Sequence, residues 1–192
     1  MFYLASTSPR RKRLLRGLGL RFLVRAPSYK EESTAGPPSK VVQTHALGKA
    51  LSVARRVQNG TVLGADTIVY FQRKVVGKPK DRKDAFRILS ALQGRGHTVY
   101  TGVALVRVLS GRIAGQTVFS ERTRVYLKKM DTAAIRAYFK EINPLDKAGA
   151  YAIQSRKTGL PAGQAGIVRR VRGSFSNAVG LPVEKLYAKL KS

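Results

Sequence analysis

Thr61-Val62-Leu63-Gly64-Ala65-Asp66-Thr67-Ile68-Val69-Tyr70-Phe71 places two strand-like apolar runs on either side of an Asp-Thr pair. Short apolar runs rich in β-branched and aromatic residues fit strands buried within a sheet, and the Asp66-Thr67 pair reads as a break between them. Asp66 is therefore a carboxylate fixed beside buried β structure. In a chain with 10 Asp plus Glu, such an acid suits a magnesium ligand or a general base. It equally suits an Asp that turns the chain by bonding its own backbone.

Outward from this stretch, helical and strand patterns alternate. Val41 to Val57 is helical, with Val42, Ala46, Ala50 and Val53 on one face and Lys49 bordering it. Phe2 to Ala5 reads as a strand, followed by Ser8 as N-cap, Pro9 as first helical residue and Gly17 or Gly19 as stop. Phe22 to Val24 is a further strand, and Ala26 to Lys40 a loop. Downstream, a helix runs from Asp81 or Asp84 to Leu92 and ends at Gly94. His97 to Val108 and Gln116 to Tyr126 alternate as long strands joined through Ser110-Gly111. Asp131 to Phe139 is helical, with Asp131 or Thr132 as its cap, Ile167 to Val171 a last strand and Pro182 to Leu190 a terminal helix. The expected fold is α/β, a mixed sheet flanked by helices. No repeat or linker divides the chain, so residues 1–192 are expected to form one domain.

Composition narrows the chemistry. The 192 residues carry 37 Lys plus Arg, a formal net charge of +27, 43% hydrophobic residues, no Cys and two His. That hydrophobic share supports a packed core despite the charge. Without Cys there are no disulfides, thiolate nucleophiles or Cys-based metal sites, and two His exclude a three-His zinc site. The N-terminus lacks the basic-then-apolar order of a secretory signal, and no apolar run approaches the ~18 to 20 residues of a membrane span. These are the features of a soluble, cytoplasmic chain. The charge calls for polyanionic company, whether nucleic acid, anionic membrane or phosphorylated small molecules. Of the two histidines, His97 is expected to be structural; His45, one turn from Lys49, could approach the same site but is expected to be an exposed helix residue.

Familiar phosphate loops are missing. Gly77-Lys78 is followed by Pro79, which breaks the Walker pattern, and Gly17-Leu18-Gly19 lacks the third Gly of a dinucleotide fingerprint. Ser6-Thr7-Ser8-Pro9-Arg10-Arg11 instead joins a strand to a helix start, offering free N–H groups, hydroxyls and two guanidiniums that suit a phosphate chain. The alternative is a capped helix with a solvated basic face. Asp146-Lys147-Ala148-Gly149-Ala150-Tyr151-Ala152-Ile153-Gln154 packs small residues around charges, for ligand approach or for tight packing alone.

In this order, Leu4-Ala5-Ser6-Thr7-Ser8-Pro9-Arg10-Arg11, Gly64 to Val69, Gly77-Lys78-Pro79-Lys80-Asp81, Gly94 to His97, Thr101-Gly102-Val103, Asp146 to Gln154 and Gly173 to Pro182 resemble the Maf family nearly end to end. The resemblance implies an elongated, twisted mixed sheet with a central cleft, like inosine triphosphatase. It implies hydrolysis of a nucleoside triphosphate between the α and β phosphates, with a divalent metal (Mg, Mn or Co). Asp66 matches the proposed proton acceptor, with Glu31, or Glu32 beside it, a second acid near the metal. Ser8, Arg11, Lys49 and Lys78 match positions around the phosphates. Arg10, Thr67 and Gln154 match those that track base choice, in the combination of the dTTP and UTP branch. Asn143 stands where many relatives have Glu, and Ser155 to Gly166 is longer than the family pattern. Two alternatives accompany this reading: a pyrophosphatase with another base choice, such as 7-methyl-GTP, and a nucleic-acid-binding or septum-formation regulator without turnover. The charge allows non-specific nucleic-acid association, and the sequence leaves a homodimer open.

Overall fold

The computed structural model describes residues 1–31, 35–153 and 166–191. Strand β1 (Phe2–Ala5) leads into helix α1 (Pro9–Arg16), whose N-terminus is closed as expected: the Ser8 side chain accepts from the Arg11 N–H, and Pro9 sits in the first turn. Then come β2 (Leu23–Val24), α2 (Pro38–Ala54), β3 (Gly60–Phe71), β4 (Lys74–Val76) and α3 (Arg82–Leu92). The remainder is β5 (Gly96–Leu109), β6 (Arg112–Leu127), α4 (Thr132–Glu141), β7 (Val168–Arg172), α5 (Phe175–Val179) and α6 (Val183–Lys191). The sheet runs β2-β1-β3-β5-β6-β7, with β4 paired to β3. β1 is parallel to β2 and β3, whereas β4 and β7 are antiparallel to their partners, so the sheet is mixed, as the alternating pattern required.

The break expected at Asp66-Thr67 does not occur. β3 is continuous through both residues because Asp66 sends its side chain to a helix instead of bonding its own backbone. The β3–β4 hairpin also differs from the sequence reading. Its turn residues Gln72 and Arg73 take positive φ (48° and 61°) without the Gly or Asn that normally announces such a turn. Ser110 and Gly111, at φ 49° and 72°, turn the β5–β6 hairpin as expected.

The described chain divides into two units. The first comprises Met1–Thr67, Tyr100–Arg122 and Ser176–Ser192. Its core lies on two faces, sorted by the period-2 alternation of strands. Val62 and Ala104, Val106 and Val108 pack against Ala46, Ala50, Val53 and Ala54 of α2. Leu63, Ala65, Val103 and Leu105 face the other way, against Leu15 of α1 and Leu181 and Leu186 near the C-terminus. Gly64 and Gly102 fall in the α2 register, and a Cβ there would lie 2.2 Å from the Ala46 carbonyl oxygen and 2.1 Å from that of Val42. The two glycines let the helix backbone rest directly on the sheet.

The second unit comprises Ile68–Val99 and Thr123–Phe175. Asp81 caps α3 by accepting from the Asp84 N–H at 2.7 Å, and Asp131 caps α4 in the same way. Within this unit His97 is buried, with Nε2 2.7 Å from the Tyr151 hydroxyl. Burial pushes its imidazole down to about 4. Because the unfolded chain titrates near 6.5, it binds more protons than the folded chain between those two values, so folding stability falls on acidification across that window. The two endpoints imply a loss of about 3 kcal/mol from this group between pH 7 and pH 4. Denaturant titrations at each pH should show this loss in the wild type and a flatter profile in His97→Gln. Equal slopes in the two proteins would contradict the assignment.

Candidate active site

Alternation along β3 turns Asp66 toward α2 and Thr67 toward α1, so one dipeptide serves both faces of the first unit. On the α2 side, Lys49 Nζ donates to Asp66 Oδ1 at 2.5 Å and to Glu31 Oε1 at 2.6 Å. Asp66 is buried and Glu31 exposed, so the ammonium links an interior carboxylate to one at the surface. Lys49 borders the apolar face of α2, as its helical spacing predicted.

His45 corrects the sequence reading. One turn before Lys49, it is 3% exposed, and its Nδ1 lies 3.4 Å from Asp66 Oδ2. It is buried because Gly64 and Gly102 bring α2 down onto the sheet. Tyr29 also reaches across from the preceding loop, its ring 5.9 Å from the imidazole and lying where a Gly48 side chain would be. Burial acts to raise the Asp66 carboxyl, but the charge and hydrogen bond of Lys49, with the charge of Arg11, outweigh it. The group is held below the usual carboxylate range and is ionised at neutral pH.

On the α1 side, Arg11 Nε donates to the Gly180 carbonyl and Nη2 to Thr67 Oγ1, both at 3.0 Å. Thr101 donates to the Asn177 carbonyl at 3.0 Å, which leaves Thr67 to donate to Thr101, also at 3.0 Å. The relay fixes the guanidinium, and the charges of Asp66 and Glu31 act on it. The Ser8 N–H donates to Ser6 Oγ at 3.2 Å, tying the strand end to the helix start. The cap and the guanidinium cradle thus coexist in one segment that the sequence left open. Arg10 is half-buried in the first turn of α1.

Lys78 belongs to the second unit, exposed in the loop after β4. Gln154 and most of the long segment Ser155 to Gly166 lie outside the described residues, as does Glu32. Asp146 and Lys147 pair with each other at 2.5 Å.

Ligand atoms of Glu31, His45 and Asp66 lie within 4.8 Å of one another. Asp66 Oδ2 is buried and takes part in no hydrogen bond among the described residues. A buried carboxylate oxygen left over in this way, with an imidazole nitrogen and a surface carboxylate at hand, is a donor set that fits a divalent cation.

A family model described as "Maf-like protein" matches residues 1–192. The chain belongs to the Maf family. The dTTP/UTP pyrophosphatase of Thermoanaerobacter sp. (strain X514) is 44% identical over 189 residues, covering 98% of this chain and 94% of the relative. That of Gloeobacter violaceus (strain ATCC 29082 / PCC 7421) is 46% identical over 184 residues, covering 95% and 90%. The Staphylococcus aureus Ham1 protein shares the fold, with a TM-score of 0.50 and 14% identity over 99% of this chain and 97% of that one. In this Maf protein the sequence reading named His45 but expected it at the surface, and it missed three members of the site as residues: Thr101, Asn177 and the Gly180 carbonyl. These three sit in segments that carry the family resemblance, so their presence was legible and their partners were not.

Proposed function

We propose that this Maf protein is a metal-dependent nucleoside triphosphate pyrophosphatase acting on dTTP and UTP, with residues 1–192 working as one domain. The observation that carries the reading is Asp66: a buried, ionised carboxylate with one oxygen bonded to Lys49 and the other, 3.4 Å from His45 Nδ1, accepting no hydrogen bond among the described residues. The relatives' names support the reaction class and the pyrimidine preference.

In this reading water attacks the α phosphorus, the α–β anhydride bond breaks, and pyrophosphate departs. Asp66 activates the attacking water through Oδ2. Asp66 and Glu31 would hold the divalent cation, which when bound neutralises charge on the phosphate oxygens. Ser8, Arg11, Lys49 and Lys78 bind the phosphates and the leaving pyrophosphate. Arg10, Thr67 and Gln154 bear on base choice, and Thr67, hydrogen-bonded to Arg11, does so as a positioning residue. The enzyme works in the cytoplasm, where the triphosphate pool lies.

A panel of triphosphates, 7-methyl-GTP included, read out by pyrophosphate release with and without magnesium, manganese or cobalt, tests the reading. Failure to release pyrophosphate from dTTP or UTP under any metal would sink it. Arg11→Gln removes a guanidinium worth a charge-assisted bond, about 1.5 to 3 kcal/mol, so kcat/KM should fall roughly 10- to 100-fold. An unchanged kcat/KM would remove Arg11 from the phosphate site.

One observation favours a second, additional role in nucleic-acid association. On the β6–β7 pair, Arg124 stands opposite Arg172 and Tyr126 opposite Arg170, with the Arg124 guanidinium 5.7 Å from the Tyr126 ring centroid. Like charges directly opposite destabilise a sheet, and a polyanion would relieve them. Filter binding of single-stranded DNA across a salt series should give a steep slope that flattens in Arg124→Gln/Arg172→Gln. A homodimer is compatible with the reading, and sedimentation measures it.

A further inference from the structure

We infer that His45 is a metal ligand, completing with Asp66 and Glu31 a site that takes imidazole-preferring divalent ions such as Co2+ or Zn2+ more tightly than Mg2+. The inference rests on the metal-dependent reading above and adds the class of ion and the residue that selects it. Three observations lead to it. First, the two oxygens of Asp66 have different surroundings: Oδ1 accepts from Lys49, whereas Oδ2 is buried, accepts no hydrogen bond among the described residues, and lies 3.4 Å from His45 Nδ1. Second, the imidazole is placed by the fold. His45 and Lys49 are one helical turn apart on the same face of α2, and that helix is seated on Gly64 and Gly102 with no slack. Third, Glu31 brings an oxygen within 4.8 Å of the other two donors from an exposed position, giving the buried pair a ligand on the solvent side.

Carboxylates alone are hard oxygen donors that suit magnesium; an imidazole in the set shifts preference along the series toward cobalt and zinc. An apolar residue at position 45 would fill the same place under the helix without this effect. The nitrogen is what makes the site selective.

The chain has two His, so imidazole 15N resonances of the full-length protein report on His45 and His97 alone. Titration with Zn2+, without nucleotide, should move the His45 Nδ1 resonance and saturate near one equivalent. The His97 signals, from the pair with Tyr151, should stay in place. By calorimetry, His45→Leu should weaken Co2+ binding about tenfold or more while changing Mg2+ binding less than about twofold. An unmoved His45 resonance at saturating Zn2+, or equal Co2+ affinity in His45→Leu, overturns the inference. If Co2+ binding is lost in Asp66→Asn but kept in His45→Leu, only the role of His45 fails. If no divalent ion binds the wild type at all, the metal-dependent reading fails with it.

Discussion

Replacing Asp66 by Asn is expected to lower pyrophosphate release from dTTP by about 10²- to 10⁴-fold, the range for removing a positioned acid–base group. Asn keeps the size and shape of the side chain and one acceptor oxygen, so the loss isolates the charge and the ability to take a proton. The substitution also leaves the Lys49 ammonium with Glu31 as its remaining carboxylate partner among the described hydrogen bonds. Stability must therefore be measured beside turnover. A variant that folds, melts within a few degrees of the wild type and turns over normally would remove Asp66 from the mechanism. A variant that loses activity only in proportion to its unfolded fraction would assign Asp66 a structural role. Between these, a stable protein with turnover reduced by two orders or more is the expected result.

Gly102→Ala is expected to produce the largest loss of stability. The new Cβ would lie 2.1 Å from the Val42 carbonyl oxygen and 2.3 Å from its carbon, atoms of the α2 backbone that cannot rotate aside as a side-chain end can. The helix must lift off the sheet, opening the packing of Ala46, Ala50 and Val53. Overpacking usually costs about 1 to 3 kcal/mol, and a rigid backbone neighbour puts this case at about 3 kcal/mol or above. Urea titration with a linear fit measures it. The same lift carries Lys49 and His45 away from Asp66, so residual activity should drop further than the folded fraction does. A stability within about 1 kcal/mol of the wild type would mean that α2 is not seated as described. Gly64→Ala, facing the Ala46 carbonyl at 2.2 Å, is an independent check on the same helix.

Much of the architecture was readable from local pattern. Ser8-Pro9 before a helix, Asp131 before another and Ser110-Gly111 between two alternating runs each act within a few residues, and each stands where the pattern put it. The failures share a cause. Gln72-Arg73 turn a hairpin without turn residues, because strand pairing of Val69 with Val76 and Tyr70 with Val75 holds them there. Asp66-Thr67 reads as a break by composition, yet it lies in an unbroken strand because Lys49 and Arg11 receive the two side chains.

The sequence by itself determined the mixed α/β class, the ends of most helices, the Maf resemblance and the prominence of Asp66 among few acids. These follow from spacing, capping and turn chemistry, which operate along the chain. Tertiary structure alone decided which groups meet: Lys49 between Asp66 and Glu31, Arg11 on Gly180 and Thr67, and His45 buried beside a carboxylate where an exposed helix residue was expected. The physical reason is the seating of α2. Two glycines on different strands, 64 and 102, remove the side chains that would hold the helix away, and no pattern local to α2 records how closely its backbone approaches them.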